Sequence, residues 1–131
     1  MTEPQGIDIS NIQGARWPWS AERGKIAFGM VKATEGLDFT DPDFAANWAA
    51  MLGLNRTLCR FAYHFFHPNQ DPTAQAERFV ATVKAHGLLP GDNFVLDLET
   101  ADGMTPEFTA GSAVTFLRVV NKLAPDRKSV V

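Results

Sequence analysis

The chain has 131 residues, 45% of them hydrophobic and 21% charged, with a formal net charge of -3. That apolar content suffices for one globular domain with a sizeable core. The mild acidity excludes the basic footprint of a nucleic-acid binder, no basic run marks a membrane surface, and no stretch reaches the roughly 18 consecutive apolar residues of a membrane span.

Cys59 is the single cysteine, so no intrachain disulfide framework is expected. Met1-Thr2-Glu3-Pro4-Gln5 has neither a basic start nor an apolar core, so synthesis in the cytosol without a signal peptide is expected.

Gly6–Ser10 (Gly-Ile-Asp-Ile-Ser) reads as a first strand with one acid inside it. Asn11 to Gly24 is an aromatic loop around Trp17-Pro18-Trp19, with a helical turn at Ser20–Arg23. Ile26–Val31 is a continuous apolar run, the pattern of a strand covered on both faces, and Lys32 and Glu35 follow where that strand should end. Asp41-Pro42 reads as N-cap and first turn of a helix with Phe44, Trp48 and Leu52 inward and Gly53 as its stop.

Thr57–Phe65 is the next strand. Asp71-Pro72 opens a second helix whose inner stripe is Ala76, Phe79, Val80 and Val83, with Gly87 past its end. Phe94–Leu98 is a fourth strand. Thr105-Pro106-Glu107 opens a third helix, with Val114, Leu117, Val120 and Leu123 on one side, and Lys128–Val131 begins another strand. Strands alternating with helices of about a dozen residues predict an α/β fold of parallel βαβ units in a single domain, 1–131.

Ligands of parallel α/β folds collect at the carboxyl ends of the strands, and the polar residues cluster there: Asp8, Lys32 with Glu35, Tyr63, and the pair Asp97 and Glu99. At i, i+2 in a strand, both acids of the pair lie on one face, with Val95 behind them and Leu96 and Leu98 opposite. Buried carboxylates seldom sit in an apolar run without a partner or a task. The plain alternatives are a salt-bridged or capping role for Asp97 and Glu99, a structural ion pair for Lys32 and Glu35, and a turn-ordering role for Asp8.

His64 and His67 lack a third ligand at metal spacing, and no phosphate loop or nucleophile elbow is present, so neither metal nor cofactor is expected. Cys59, among apolar neighbours, reads as a buried small hydrophobe. Trp17, Trp19, Phe65 and Phe66 flank strand ends, where rings either stack on sugar faces or pack the loops. Converging carboxylates on an aromatic site suit glycosidic bond cleavage, which needs one protonated acid and one ionised group. Crowding of Asp8, Asp97 and Glu99 is expected to push their pKa values apart. The pair's α-carbons stand about 6.5 Å apart in a strand, which leaves retention or inversion open.

Four blocks of the sequence, Gly6–Ser10 with Gln13-Gly14, Val31–Gly36, Ala62–Phe65 and Leu96–Glu99, together resemble glycoside hydrolase family 25, the Chalaropsis-type lysozymes. The resemblance implies an N-acetylmuramidase that cuts the β-1,4 bond from N-acetylmuramic acid to N-acetylglucosamine in peptidoglycan, acting at the bacterial cell wall. It implies Glu99 as proton donor, Asp97 as nucleophile or as the group that orients the substrate's 2-acetamido function, and Asp8 and Tyr63 in the same site. Lys32, Glu35 and Phe65 are the further substrate-binding candidates.

The fold the resemblance implies is a β/α (TIM-like) barrel, of which this length supplies only about the first four and a half βα units, since such barrels run to about 200 residues or more. Unpaired edge strands are then expected to favour self-association, and the lone chain to be poorly folded or inactive unless a partner or second copy closes the barrel. A non-catalytic wall-binding piece and a chitinase-like hydrolase are the competing readings. The second lacks the fuller Asp-x-x-Asp-x-Asp-x-Glu pattern, because Gly91, Asp92 and Asn93 do not supply it.

Overall fold

Strands and helices alternate as the βαβ reading requires. The computed structural model describes residues 3–13, 17–54, 58–127 and 129–131. In chain order they form β1 (Gly6–Ile9), β2 (Phe28–Glu35), β3 (Phe39–Thr40), α1 (Phe44–Leu52), β4 (Cys59–Phe65), α2 (Pro72–Ala85), β5 (Asn93–Asp97), α3 (Pro106–Leu123) and β6 (Ser129–Val130). Two 3-10 turns, Asn11–Gln13 and Trp19–Glu22, lie between β1 and β2. Gly14 of the resemblance, the expected strand start at Thr57, and Lys128 lie outside the described residues.

The strands join in the order β1-β2-β4-β5-β6, every pair of that path parallel, with β3 folded back antiparallel on β2. Among the described residues the sheet does not close: β1 and β6 are its opposite edges. Each crossover steps the same way along the sheet, so right-handed connections put the helices on one face. Val31, Ala33, Ala62, Phe94 and Leu96 of that face share a core with Trp48 and Met51 of α1, Phe79 and Val83 of α2, and Phe116 and Val120 of α3. Gly29 carries no side chain because a Cβ there would meet Met51 Sδ at 2.5 Å.

The local rules that act through capping hold at α2 and α3. The Asp71 side chain accepts from Thr73 N and the Thr105 side chain from Phe108 N, and each helix has Pro at its first position. The expected α2 stripe is fully buried, and Gly87 follows its end with φ +91.

Elsewhere tertiary packing overrides the pattern. Asp41 does not cap α1; the helix starts at Phe44, and Asp41 instead accepts from Asn11 N and Asp43 N, tying the loop after β1 to the helix entry. Leu52 is exposed and Met51 fills its place in the core. In α3 the buried line is Ala113, Phe116 and Val120 rather than Val114, Leu117, Val120 and Leu123, because the helix turns its phenylalanine toward His64 and Phe79; Val114 and Leu123 face solvent. Leu98 lies beyond the last paired residue of β5, is 38% exposed, and lines the acid hollow rather than the core. Cys59 is exposed at the start of β4. Strand β2 begins at Phe28 and runs through Lys32 to Glu35, with a bulge between Lys32 and Thr34; Phe28 and Met30 are only half-buried, so its second face is not sealed.

Candidate active site

Register decides which side chains meet. Lys32, Tyr63 and Val95 lie abreast on β2, β4 and β5; Glu35, Phe65 and Asp97 lie abreast one step nearer the carboxyl ends. Asp8 pairs with Met30, two residues before Lys32, so alternation puts Asp8, Met30, Lys32, Tyr63, Val95 and Asp97 on the sheet face opposite the helices. Glu99 follows two residues after Asp97. A hollow of about 300 Å³ opens here, its wall including Asp8, Met30, Tyr63, Asp97 and Glu99. A larger, shallower hollow of about 630 Å³ lies at the amino ends of the strands around Gln5, Lys25 and Ala27, and brings together no acid pair.

Electrostatics in the first hollow follow from crowding. Burial raises the Asp97 carboxyl to about 6, helped by its hydrogen bond with Glu99 and by the charges of Glu99 and Asp8; Lys32 opposes the rise. Asp8 is raised as well, by burial and the Glu99 charge, against the hydrogen bond it accepts from the Tyr63 hydroxyl. Burial and the charges of Asp8, Asp97 and Asp41 push Tyr63 well above its ordinary value, so it stays a neutral donor. Asp97 therefore retains its proton up to about pH 6.

The remaining candidates form an adjoining cluster. Lys32, 9% exposed, bonds Glu35 Oε1 at 2.6 Å and lies over the rings of Phe39 and Phe65 at 5.1 and 5.3 Å. Burial pushes Glu35 up, but hydrogen bonds and charges of Lys32 and His67 outweigh it and hold the carboxyl below its usual range. The Lys32–Glu35 ion pair foreseen as the plain alternative is thus present. Of the aromatic candidates, Phe66 is fully buried, and Trp19 is buried with its indole N–H on Asn47 Oδ1 at 3.0 Å; both serve packing. Phe65 is half-buried on the open face.

Sequence reasoning weighed His67 only as a metal ligand and set it aside, and overlooked Asp102; both join the Lys32–Glu35 cluster. It also overlooked Met30 in the wall and the two-residue strand β3 that brings Phe39 to Lys32. A polar residue two positions past a strand end, as His67 is, was the available signal.

Three acids, Asp8, Asp97 and Glu99, thus share one hollow at the carboxyl ends of parallel strands. The family model described as glycosyl hydrolases family 25 matches residues 7–131, and the chain belongs to this family. Lysozyme M1 of Streptomyces globisporus is 39% identical over 101 residues, covering 72% of this chain and 32% of that protein. The N,O-diacetylmuramidase of Chalaropsis sp is 33% identical over 127 residues, covering 87% and 56%. Among solved structures, a family 25 glycosyl hydrolase from Bacillus anthracis superposes with a TM-score of 0.80 at 26% identity, covering 94% of this chain and 57% of that one. The chain thus spans between about a third and three fifths of these proteins.

Proposed function

We propose that the chain is a lysozyme-type glycosidase that cleaves the β-1,4 bond between N-acetylmuramic acid and N-acetylglucosamine in the glycan strands of peptidoglycan, at the bacterial cell wall. The observation that carries the reading is that Asp8, Asp97 and Glu99 line one hollow, where crowding and burial raise Asp97 to about 6.

In this mechanism the proton that the raised Asp97 retains passes to Glu99, which gives it to the glycosidic oxygen as the C1–O bond breaks, leaving Asp97 ionised. Positive charge develops at C1 and the ring oxygen. Asp97 stabilises it, either by bonding to C1 or by holding the substrate's acetamido N–H so that the amide oxygen closes on C1. Water then adds to C1, displacing Asp97 or the amide oxygen from it, and gives a proton to Glu99. Tyr63 holds Asp8 in the wall, and Lys32, Glu35 and Phe65 extend the binding surface.

The open sheet is read as part of a β/α barrel of the family 25 type. Its edges β1 and β6 offer backbone groups for further strands, and self-association through them is part of this proposal. The same openness favours the second reading, a glycan-binding piece without turnover. Reducing-end release from purified peptidoglycan decides. Loss of release by about 100-fold or more in Glu99→Gln supports the hydrolase; glycan binding with no release by the unaltered chain refutes it in favour of the binding piece.

A further inference from the structure

His67, two residues past β4, presents Nε2 to Glu35 Oε2 and Nδ1 to Asp102 Oδ2, each at 2.9 Å. Its backbone is fixed from α2: Gln75 Oε1 accepts from His67 N at 3.1 Å, and Gln75 Nε2 donates to His67 O at 2.9 Å. Asp102 belongs to the tight turn that follows Glu99. Among the described residues it is the non-glycine with positive φ, at +50, and Gly103 follows at +78. Thr100 Oγ1 donates to Asp102 Oδ1 at 3.2 Å and accepts from Asp102 N at 3.1 Å, and Met104 N bonds Ala101 O at 2.9 Å. A continuous polar chain therefore runs from Lys32 through Glu35, His67 and Asp102 to Thr100, the residue next to Glu99.

The ring's chemistry fixes its protonation. A neutral imidazole has one donor and one acceptor nitrogen, whereas ionised carboxylates only accept. Glu35 and Asp102 are both satisfied only by histidinium. We propose that His67 is a positioning residue for the acid pair, whose protonated ring ties the turn carrying Glu99 to the ends of β2 and β4 and whose deprotonation frees that turn. The link to turnover rests on the muramidase reading; the tie itself does not.

The groups facing His67 agree. Burial pulls its pKa down, but the bonds and charges of Glu35 and Asp102 outweigh this and raise it above the ordinary value. Lys32 acts one link away, through Glu35. His64 of β4 is buried, and burial lowers it to about 4, so it adds no charge near neutral pH. Arg78 of α2 is engaged by Phe39 O and the Thr40 hydroxyl. A raised histidine pKa means that the tie is complete below the ordinary histidine range and is lost as pH climbs through the raised value.

The test is amide hydrogen exchange and carbon NMR on the whole chain, with the His67 ring resonance as internal pH marker. Protection of Met104 N, corrected for intrinsic exchange, is expected to fall about tenfold as His67 deprotonates, and the Glu99 carboxyl resonance to follow the same titration. In Asp102→Asn, a residue that accepts positive φ but carries no charge, and in His67→Gln, both responses are expected to vanish. Unchanged Met104 protection across the His67 titration, or the same fall in Asp102→Asn, overturns the proposal. Reducing-end release measured in parallel, absent at every pH, refutes the muramidase reading and leaves the exchange result to decide the tie.

Discussion

Asp97 and Glu99, two residues apart, share the wall of one hollow, and burial together with the neighbouring Glu99 carboxyl raises Asp97 to about 6. The fold thus keeps this acid protonated up to about pH 6, well above its intrinsic preference. Because burial raises Asp97 to about 6, the folded chain binds a proton more tightly there than the unfolded chain does. Stability is therefore lost as pH rises from the ordinary carboxylate range to about 6, and the loss is constant above it. Asp97→Asn removes the cost. Discounted for solvent screening of this partly exposed group, the variant is expected to gain about 1 kcal/mol near pH 8 and nothing near pH 4. Urea denaturation at the two pH values checks it; an equal change at both rejects the assignment.

Tyr63 acts on Asp8 in the opposite sense. Its hydroxyl donates to the Asp8 carboxylate and restrains a pKa that burial and Glu99 push upward. Tyr63→Phe leaves the ring packed but removes the donor, so Asp8 should titrate higher than in the unaltered chain, and glycan cleavage should fall about tenfold. A carbon NMR titration of the Asp8 carboxyl reads the first effect without reference to activity. No upward movement there would break the Tyr63–Asp8 link.

The acid face was legible in the sequence because alternation is rigid: once Val95, Asp97 and Tyr63 belong to strands, their side is settled, and register does the rest. What failed were readings in which a helix or loop had a choice of partner. Asp41-Pro42 has the composition of a helix start, yet Asp41 is drawn to Asn11 N at 2.8 Å, across 30 residues. Leu98 looked like core because alternation was carried one step past the end of β5. In α3, Phe116 and Leu117 are both apolar, and the rings of His64, Phe66 and Phe79 decide which turns inward. The His67–Asp102 contact spans 35 residues and joins two loops, where no periodicity operates.

At the amino end of β4 the fold depends on one buried ion pair. Arg60 Nε donates to Asp92 Oδ1 at 2.9 Å, its guanidinium stacks 3.7 Å over Trp48, and Nη1 donates to Trp48 O at 2.9 Å. Arg60 and Asp92 are 2% and 4% exposed. Asp92→Ala strands a buried cation and should cost about 3–5 kcal/mol, whereas joint replacement by Arg60→Met and Asp92→Leu should recover most of that loss. Thermal melts of Arg60→Met, Asp92→Leu and the double variant test the coupling; additive losses in the double variant would rule out an interaction between the two.

The last expectation concerns acid. His64 is wholly buried; its Nε2 faces Gln75 Oε1 at 2.9 Å and its Nδ1 faces Thr34 Oγ1 at 2.7 Å. Gln75 Oε1 also accepts from His67 N, so it is an acceptor and His64 must donate to it from Nε2. Thr34 then donates to Nδ1, and the ring is complete in its neutral form. Burial accordingly lowers His64 to about 4. The unfolded chain takes up a proton near the ordinary histidine pKa and the folded chain does not, so stability is full above that value and falls as pH drops toward about 4. The loss should reach about 3 kcal/mol. His64→Gln, which cannot titrate, should be less stable near pH 8 but lack this acid-dependent loss. Unfolding free energies measured from about pH 7 to about pH 4 should therefore converge for the two proteins, and parallel curves would show that His64 is not the group responsible.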